Sequence, residues 1–511
     1  MTQRAMSNAI TNAVNAIDIP VTNLGAANAN KIVIVGPTGN LIPSANITEE
    51  QLINGGGNSG GGNEGEGDTP TPTPTPATGI VGLKINYATA IMTPTDDAVN
   101  ATLSDFNNFS MYGGRKRCLV DNTGVIEAFY GDNNYTDTPS NGYQVMVYQP
   151  KFYYRRTPTQ VEVTNYGTVI REEIIQLSPT EQTDFTLHPL FRDESGNTLE
   201  YVLLSAYEGS LEVEEGTSYQ DITYNDYING KLSSVSGAKP FSGTNNFLNV
   251  TTAEKLASNR GVGWHISTSK SLSAQQMLAI VELGSLNVQT VFNEGISDLD
   301  AGGVNETRAA TTGATKALGN QTGQASSTVF NYGGSDHVET AAGKVAISYR
   351  GYENPWGNMW DYVGDIMLEM RSSSNHIVNI CNNYNYADTL TGDYTALNIK
   401  TPPTVGWISG FAYDVMNDWI FIPIELGANA NSLVPVGDYF FGSRSSSGVH
   451  SCINGGPWFG EANNGLFYYT FDRNTTESGG KNIGARLLHV PTVGSSVYIN
   501  NVIKWNTKMG G

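Results

Sequence analysis

The sequence predicts an α+β fold rich in β structure, with long loops and few helices, preceded by a small N-terminal segment. Strand-like runs dominate: Gly142–Pro150, Lys151–Arg155, Val161–Thr164, Val169–Ile175 and Tyr201–Ala206 are dense in β-branched and aromatic residues between turn formers. From Gly79 onward only two helical spacings stand out, Ser273–Leu283 and Ala253–Arg260. The composition agrees with this reading. Charged residues are 15% of the 511, against about 25% in ordinary soluble domains. Asn, Thr, Ser and 57 Gly supply the polarity instead. With 39% hydrophobic residues the chain can still bury real cores, which excludes global disorder.

Residues 1–53 form a first unit. Ala5, Ile10, Ala13, Val14 and Ile17 give a short helical spacing that ends near Pro20. Lys31–Pro43 follows as a strand, a Gly-Pro-Thr-Gly-Asn turn and a second short strand. So little apolar material rarely folds alone, so this unit reads as an attachment or oligomerisation segment. Residues 54–78 are a linker. Its Gly-rich half is a flexible coil, and its four Thr-Pro pairs favour extended polyproline II. Eight such residues reach about 25 Å at ~3.1 Å each. No second linker follows. Residues 79–260 form a β-rich part and 261–511 a second part, either one large unit or two packed closely. In the Ser273–Leu283 helix, Ser273 is the candidate N-cap, Met277, Leu278, Ile280 and Val281 make an apolar face, and Gly284 stops it. Asp298–Asp336 reads as a long polar loop.

Several chemistries are excluded or unsupported. A net charge of 28 − 48 = −20 argues against nucleic-acid partners and anionic membranes. No run reaches the ~18 apolar residues of a membrane span. Met1–Ile10 lacks the apolar stretch of a secretory leader, so synthesis in a cytoplasm without a signal peptide is expected. Cys118, Cys381 and Cys452 are too scattered for a disulfide framework and are expected as small buried side chains. The six His are dispersed with no metal-ligand spacing, and no nucleophile elbow, P-loop or dinucleotide fingerprint occurs. Glu172–Glu173 and Glu214–Glu215 are adjacent pairs. Neighbours on a strand face opposite sides, so neither pair suits glycosidase acid/base work. No catalytic residue, cofactor or metal ligand is assigned.

The informative segments lie in the C-terminal half. Tyr349–Asp365 is dense in Trp, Gly and Asn, and Gly437-Asp-Tyr-Phe-Phe-Gly-Ser-Arg444, Cys452–Trp458 and Asn482–Leu488 follow it. Their order resembles the C-type-lectin fold in its formylglycine-generating-enzyme-like form. Gly357-Asn-Met-Trp-Asp-Tyr362 is similar to that family's "GN-V-WEW" element, Gly455-Gly-Pro-Trp458 to its "GGSW" element, and Gly484-Ala-Arg486 to its "GFR" element. Met146–Pro150 resembles its opening strand and Thr268–Gly284 its main helix, so the likeness covers about 140–491. The oxidase of this family carries a cysteine pair between the last two motifs. Phe459–Ile483 contains no Cys, and the single Cys452 precedes it, so the copper-thiolate chemistry is unsupported. The calcium-dependent sugar motifs of animal lectins are unsupported too, because Glu353-Asn-Pro355 and Asn417-Asp-Trp419 have the wrong order.

The chain is more similar to the variable tail-tip adhesins that bacteriophages diversify with retroelements. That resemblance implies a virion protein that attaches to the host surface through a non-catalytic lectin-like head. It places the receptor-binding residues in the interval from Asn454 to Ile483, rich in Asn, Tyr, Ser, Thr and Gly. Aromatic rings there supply rigid contact area and amides supply adaptable hydrogen bonds. The candidates are Asn454, Trp458, Glu461, Asn463, Asn464, Phe467, Tyr468, Tyr469, Asp472 and Arg473. Glu461, Asn463, Asn464, Tyr468, Tyr469 and Asp472 are expected to be exposed. Trp458, Phe467 and Phe471 are open between contact and core roles, and Trp356 and Trp360 are expected to pack the fold. The implied partners are a host glycan or protein receptor, other virion proteins through residues 1–53, and two further copies in a homotrimer. A head fibre or capsid decoration, a formylglycine-generating-type enzyme and a purely structural fibre are the alternatives.

Overall fold

The computed structural model describes residues 33–35, 41–43, 78–140, 142–213, 224–243, 248–300, 308–332, 335–371, 376–427, 435–442, 447–477 and 479–510. In the first unit Val33–Val35 pairs antiparallel with Leu41–Pro43, Ile34 opposite Ile42, which are the two strands expected there. The helical spacing before Pro20, the linker through residue 77, Glu214–Glu215 and Arg444 lie outside the described residues.

From Pro76 onward the chain is one compact unit built mainly from two sheets. The strands that matter here are β1 (Val81–Asn86), β2 (Ile91–Asp96), β3 (Lys116–Val120), β4 (Ile126–Phe129), β5 (Gln144–Pro150), β6 (Tyr153–Thr164), β7 (Gly167–Ser178) and β8 (Tyr201–Ser205). After them come helix α1 (Val250–Ser258), β9 (Trp264–Ile266) and helix α2 (Ser269–Leu283). The second half adds β10 (Trp360–Met370), β11 (His376–Cys381), β12 (Tyr394–Thr401), β13 (Val405–Tyr413) and β14 (Tyr439–Phe441). It ends with β15 (Gly448–Gly455), β16 (Gly465–Asn474), β17 (Ile483–Gly484), β18 (Leu487–His489) and helix α3 (Ser496–Gly510). The large sheet runs β6-β7-β13-β14-β16-β15-β10-β11-β12, with β1 and β2 added beside β7. The smaller sheet runs β9-β18-β8-β5-β3-β4. Strands from either side of residue 260 therefore pair with one another, as β8 does with β18 and β7 with β13.

Strand β5 is buried along its whole length, which explains its near-continuous run of Val, Met and Tyr. In the β6–β7 hairpin, adjacent glutamates do face opposite sides. Glu173 is fully buried against Arg156 (2.5 Å), while Glu172 meets Lys84 nearer the surface (3.1 Å). Helix α2 starts earlier than Ser273. Thr268 is its N-cap, in a reciprocal capping box with Ser271, and Gly284 ends it in the left-handed conformation (φ 66°). Ser273 lies inside the helix and donates to the Trp419 carbonyl. Every residue of α2 except Lys270 and Leu283 is buried. The helix is thus enclosed on all sides rather than amphipathic, and its serines and glutamines are spent on buried neighbours. Helix α1 is capped in the same way by Asn249 with Thr252.

Two features depart from the expectations. The polar segment Asp298–Asp336 contains part of a hairpin, Thr328–Tyr332 against Ser335–Glu339, anchored by the buried Phe330. Helix α3 had no counterpart in the sequence reading. It closes a stack of four rings, Trp505–Tyr148–Tyr201–Tyr498, with centroids 5.2, 4.5 and 5.6 Å apart. All three cysteines are buried free thiols, as expected, and burial pushes the Cys118 and Cys452 pKa values up. Among the described residues no helix is long and apolar enough to cross a membrane, and no three His, Cys, Asp or Glu side chains gather as a metal-binding group.

Candidate binding face

Two of the three motif-like elements meet at Arg486, and the third adjoins them where the Gly357 N–H donates to the Gly455 carbonyl (3.3 Å). The Arg486 side chain is 1% exposed. Its Nε donates to Asp361 Oδ2 at 2.5 Å, its Nη2 donates to the Asn354 carbonyl at 2.8 Å, and its guanidinium lies 4.5 Å over the Tyr352 ring. Glu208 approaches to 3.6 Å. Asn358 joins the cluster by donating to Glu208 Oε2 (2.5 Å) and accepting from the Ala310 N–H (2.7 Å). Burial pushes the Glu208 carboxyl up to about 8, against the opposing pull of Arg486. Asn354, Gly357 and Asn358 all have positive φ (47°, 78° and 63°), the region Gly and Asn enter most readily. The signature residues are therefore buried supports. They hold the start of β10, the turn after β15 and the β17–β18 corner in register: Asp361 pairs with Asn454 on one side and Gly484 on the other.

The 456–464 loop hangs from this corner. Trp458 is fully buried, its Nε1 donates to the Asp300 carbonyl (3.2 Å), and its own carbonyl accepts from Leu299 (2.8 Å). Asn464 donates across the loop to the Pro457 carbonyl at 2.6 Å. A Cβ on Gly456 would sit 1.9 Å from Asn464 Oδ1, so only Gly fits there. Strand β16 then alternates. Phe467 packs inward against Phe411 and Phe421, and Tyr469 turns inward to accept from Gln276 of α2 (2.9 Å). Tyr468 points to the opposite side and meets Trp360 at 4.3 Å and Tyr439 at 6.1 Å.

Of the ten candidate residues, four reach the surface: Glu461 is exposed, and Asn463, Asp472 and Arg473 are partly so. Asn454, Trp458, Asn464, Phe467, Tyr468 and Tyr469 are buried. The expected exposure of Asn464, Tyr468 and Tyr469 is corrected. Asn464 is spent closing its own loop, Tyr469 is on the core side of its strand, and Tyr468 is covered by its ring neighbours to 9% exposure. For Trp458, Phe467 and Phe471 the core role holds.

Residues outside the interval complete the outward side. Trp407 on β13 sits opposite Tyr439 on β14, ring to ring at 5.4 Å and nearly perpendicular. Tyr439 in turn touches Tyr468. The rings of Trp407, Tyr439, Tyr468 and Trp360 thus form a row across the large sheet. Trp407 and Tyr439 are partly exposed, as is Phe441, and Val405 is 39% exposed in the neighbouring row. The alternation Val405-Gly-Trp407-Ile-Ser409 was the available signal for this edge, a period of two with Val405, Trp407 and Ser409 outward. Glu461, Asn463, Asp472 and Arg473 add polar groups on the strand and loop nearby. The arrangement offers rigid aromatic surface with hydrogen-bonding groups around it.

A scan of protein-family models matches none to this chain, and a search of curated proteins finds no similar sequence.

Proposed function

We propose that the chain is a bacteriophage tail-fibre or receptor-binding adhesin, which attaches the virion to the host surface through this face without catalysis. In this reading residues 1–53 join the virion, residues 54–78 tether the head, and the chain acts as a homotrimer whose several heads add avidity. The observation that carries it is the row Trp407–Tyr439–Tyr468–Trp360, half-exposed at one end and braced from behind by the Arg486 cluster. Rigid aromatics beside adaptable polar groups are what a recognition surface uses. Binding to a glycan or a protein both suit such a face. The oxidase alternative needs a reactive thiol pair, whereas Cys452 is fully buried on β15 with its pKa pushed up, so it gains no support.

The test is host adsorption. Trp407→Ala, Tyr439→Ala and the double variant remove partly exposed rings without opening the core. Binding of the purified full chain to cells of the infected host should fall at least tenfold in the double variant, and the chain should lose its ability to block phage adsorption. Unchanged cell binding by a folded double variant would overturn the reading.

A further inference from the structure

Away from the sheet face, a cleft of about 680 Å³ opens between the 103–116 segment, the end of α2 and the turn at Arg350. Small-ligand sites span roughly 300–1,000 Å³. The chain as a whole is strongly acidic, yet the charged groups lining this cleft are Arg115, Lys116, Arg350 and Glu282, a local balance of 3 − 1 = +2. Glu282 is fully engaged, gripped by Arg350 through Nε (2.7 Å) and Nη2 (2.6 Å) and by the Tyr349 hydroxyl (2.8 Å). It leaves two cations uncompensated.

Lys116 is half-buried and makes no ion pair among the described residues. Arg115 is 1% exposed, held between the Tyr349 and Tyr352 rings at 5.3 and 5.9 Å. It donates to Gln275 (2.9 Å), and its Nε and Nη1 have no partner. A buried guanidinium with idle donors is costly unless an anion answers it. The turn beside it is strained as well. Arg350 has φ 47° in the two-residue turn between Tyr349 and Tyr352, where Asn or Gly is usual, and strained positions of this kind gather at ligand sites. The rim is amide-rich, with Asn107, Asn320 and Gln321, and it carries the exposed apolar side chains Leu103 (57%) and Val291 (49%).

We propose that this cleft binds an acidic sugar, its carboxylate on Lys116 with Arg115 behind it, its hydroxyls on the rim amides, and an apolar ring face against Leu103 and Val291. A carboxylate pairs with the Lys116 ammonium and answers the buried Arg115 charge at longer range, and the amide rim selects a polyhydroxylated body over a plain hydrocarbon acid. The cleft is lined by none of the residues of the aromatic row, and the proposal does not depend on the adhesin reading.

The full chain is titrated calorimetrically with trigalacturonate and with N-acetylneuraminate, and with the methyl ester of each, which keeps the shape and removes the charge. At least one acid should bind, its ester should bind at least tenfold more weakly, and added salt should weaken the acid further. Lys116→Met keeps the aliphatic stem and should cost at least tenfold with an unchanged melting temperature, while Trp407→Ala leaves the affinity intact. Failure of both acids to bind, equal binding of acid and ester, full affinity in Lys116→Met, or loss in Trp407→Ala would each overturn the proposal.

Discussion

Replacing Arg486 by Met tests whether the signature motifs act as supports. The substitution keeps much of the side chain's length and apolar volume but deletes its charge and donors. It removes a charge-assisted bond to Asp361 (2.5 Å), a bond to the Asn354 carbonyl (2.8 Å) and the contact over Tyr352. Breaking a buried pair by deleting one partner costs about 3–5 kcal/mol, because a charge is left uncompensated. Here Asp361 loses its bonded partner and Glu208 loses a neighbouring cation, so a loss of about 4 kcal/mol is expected, a large part of the ~5–15 kcal/mol that holds a domain together. The loss should also depend on pH. Arg486 is the main influence lowering both the Glu208 and Asp361 pKa values, which burial raises. Without it both climb further, so the folded variant holds more protons than the unfolded chain near neutrality. Stability then falls as pH rises. Urea unfolding of both proteins at pH 5.5 and pH 8 should therefore show the larger deficit at pH 8, and Glu208→Gln added to Arg486→Met should recover part of it. A deficit under about 1 kcal/mol, or one that is equal at both pH values, would refute a supporting role for the cluster.

Acid should weaken the fold through its buried histidines. Burial holds His188 and His489 down at about 3, against 6.5 in the unfolded chain, so stability is complete above 6.5 and is lost as pH falls toward 3, by about 3 kcal/mol each at pH 4. The ring signals of His188 in an NMR titration should stay neutral down to pH 4, and protonation near 6.5 in the folded state would contradict this. Trp505→Ala removes one end of the four-ring stack and the bond to the Gly114 carbonyl (2.9 Å), so a loss of about 3 kcal/mol is expected. Hydrogen exchange of the α3 amides should accelerate, and unchanged protection would show that the helix is held by other contacts. Thr268→Ala should cost about 1 kcal/mol in thermal unfolding by opening the α2 capping box, and no loss would show that burial alone sets that helix's start.

Local chemistry made some of the fold readable and hid the rest. The β5, β7 and β8 runs were legible because buried strands need β-branched and aromatic residues whatever their neighbours. The stop of α2 at Gly284 was legible because only a left-handed residue ends a helix this way. Its start was placed too late because a serine-rich first turn offers several caps, and the choice of Thr268 depends on a hydrogen bond to Ser271. Helix α3 was hidden because its apolar residues serve a ring stack on β5 and β8, more than 290 positions earlier in the chain. In the candidate interval, composition indicated recognition chemistry but could not tell which side of β16 a tyrosine takes. Tyr468 and Tyr469 are adjacent and alike, yet one meets Tyr439 and the other meets Gln276 of α2.

If the chain is an adhesin, as proposed, that alternation limits which residues could vary to suit a receptor. On β16, Phe467, Tyr469 and Phe471 are fixed by the core: Phe467 by two phenylalanine rings, Tyr469 by a glutamine on an enclosed helix, Phe471 by Phe440. Trp458 and Asn464 are fixed by the loop they close. Change is cheap only where the side chain leaves the packing, at Glu461, Asn463, Asp472 and Arg473 and at the half-exposed rings of Trp407 and Tyr439. These positions come from four separate stretches of sequence, at 407, 439, 461–463 and 472–473, and the pairing of β13 with β14 and of β14 with β16 brings the strand residues together. The residues that resemble a family signature and the residues suited to recognition are thus different sets. The first is buried and costly to alter. The second is exposed, and its scatter along the chain is why spacing alone could not assemble it.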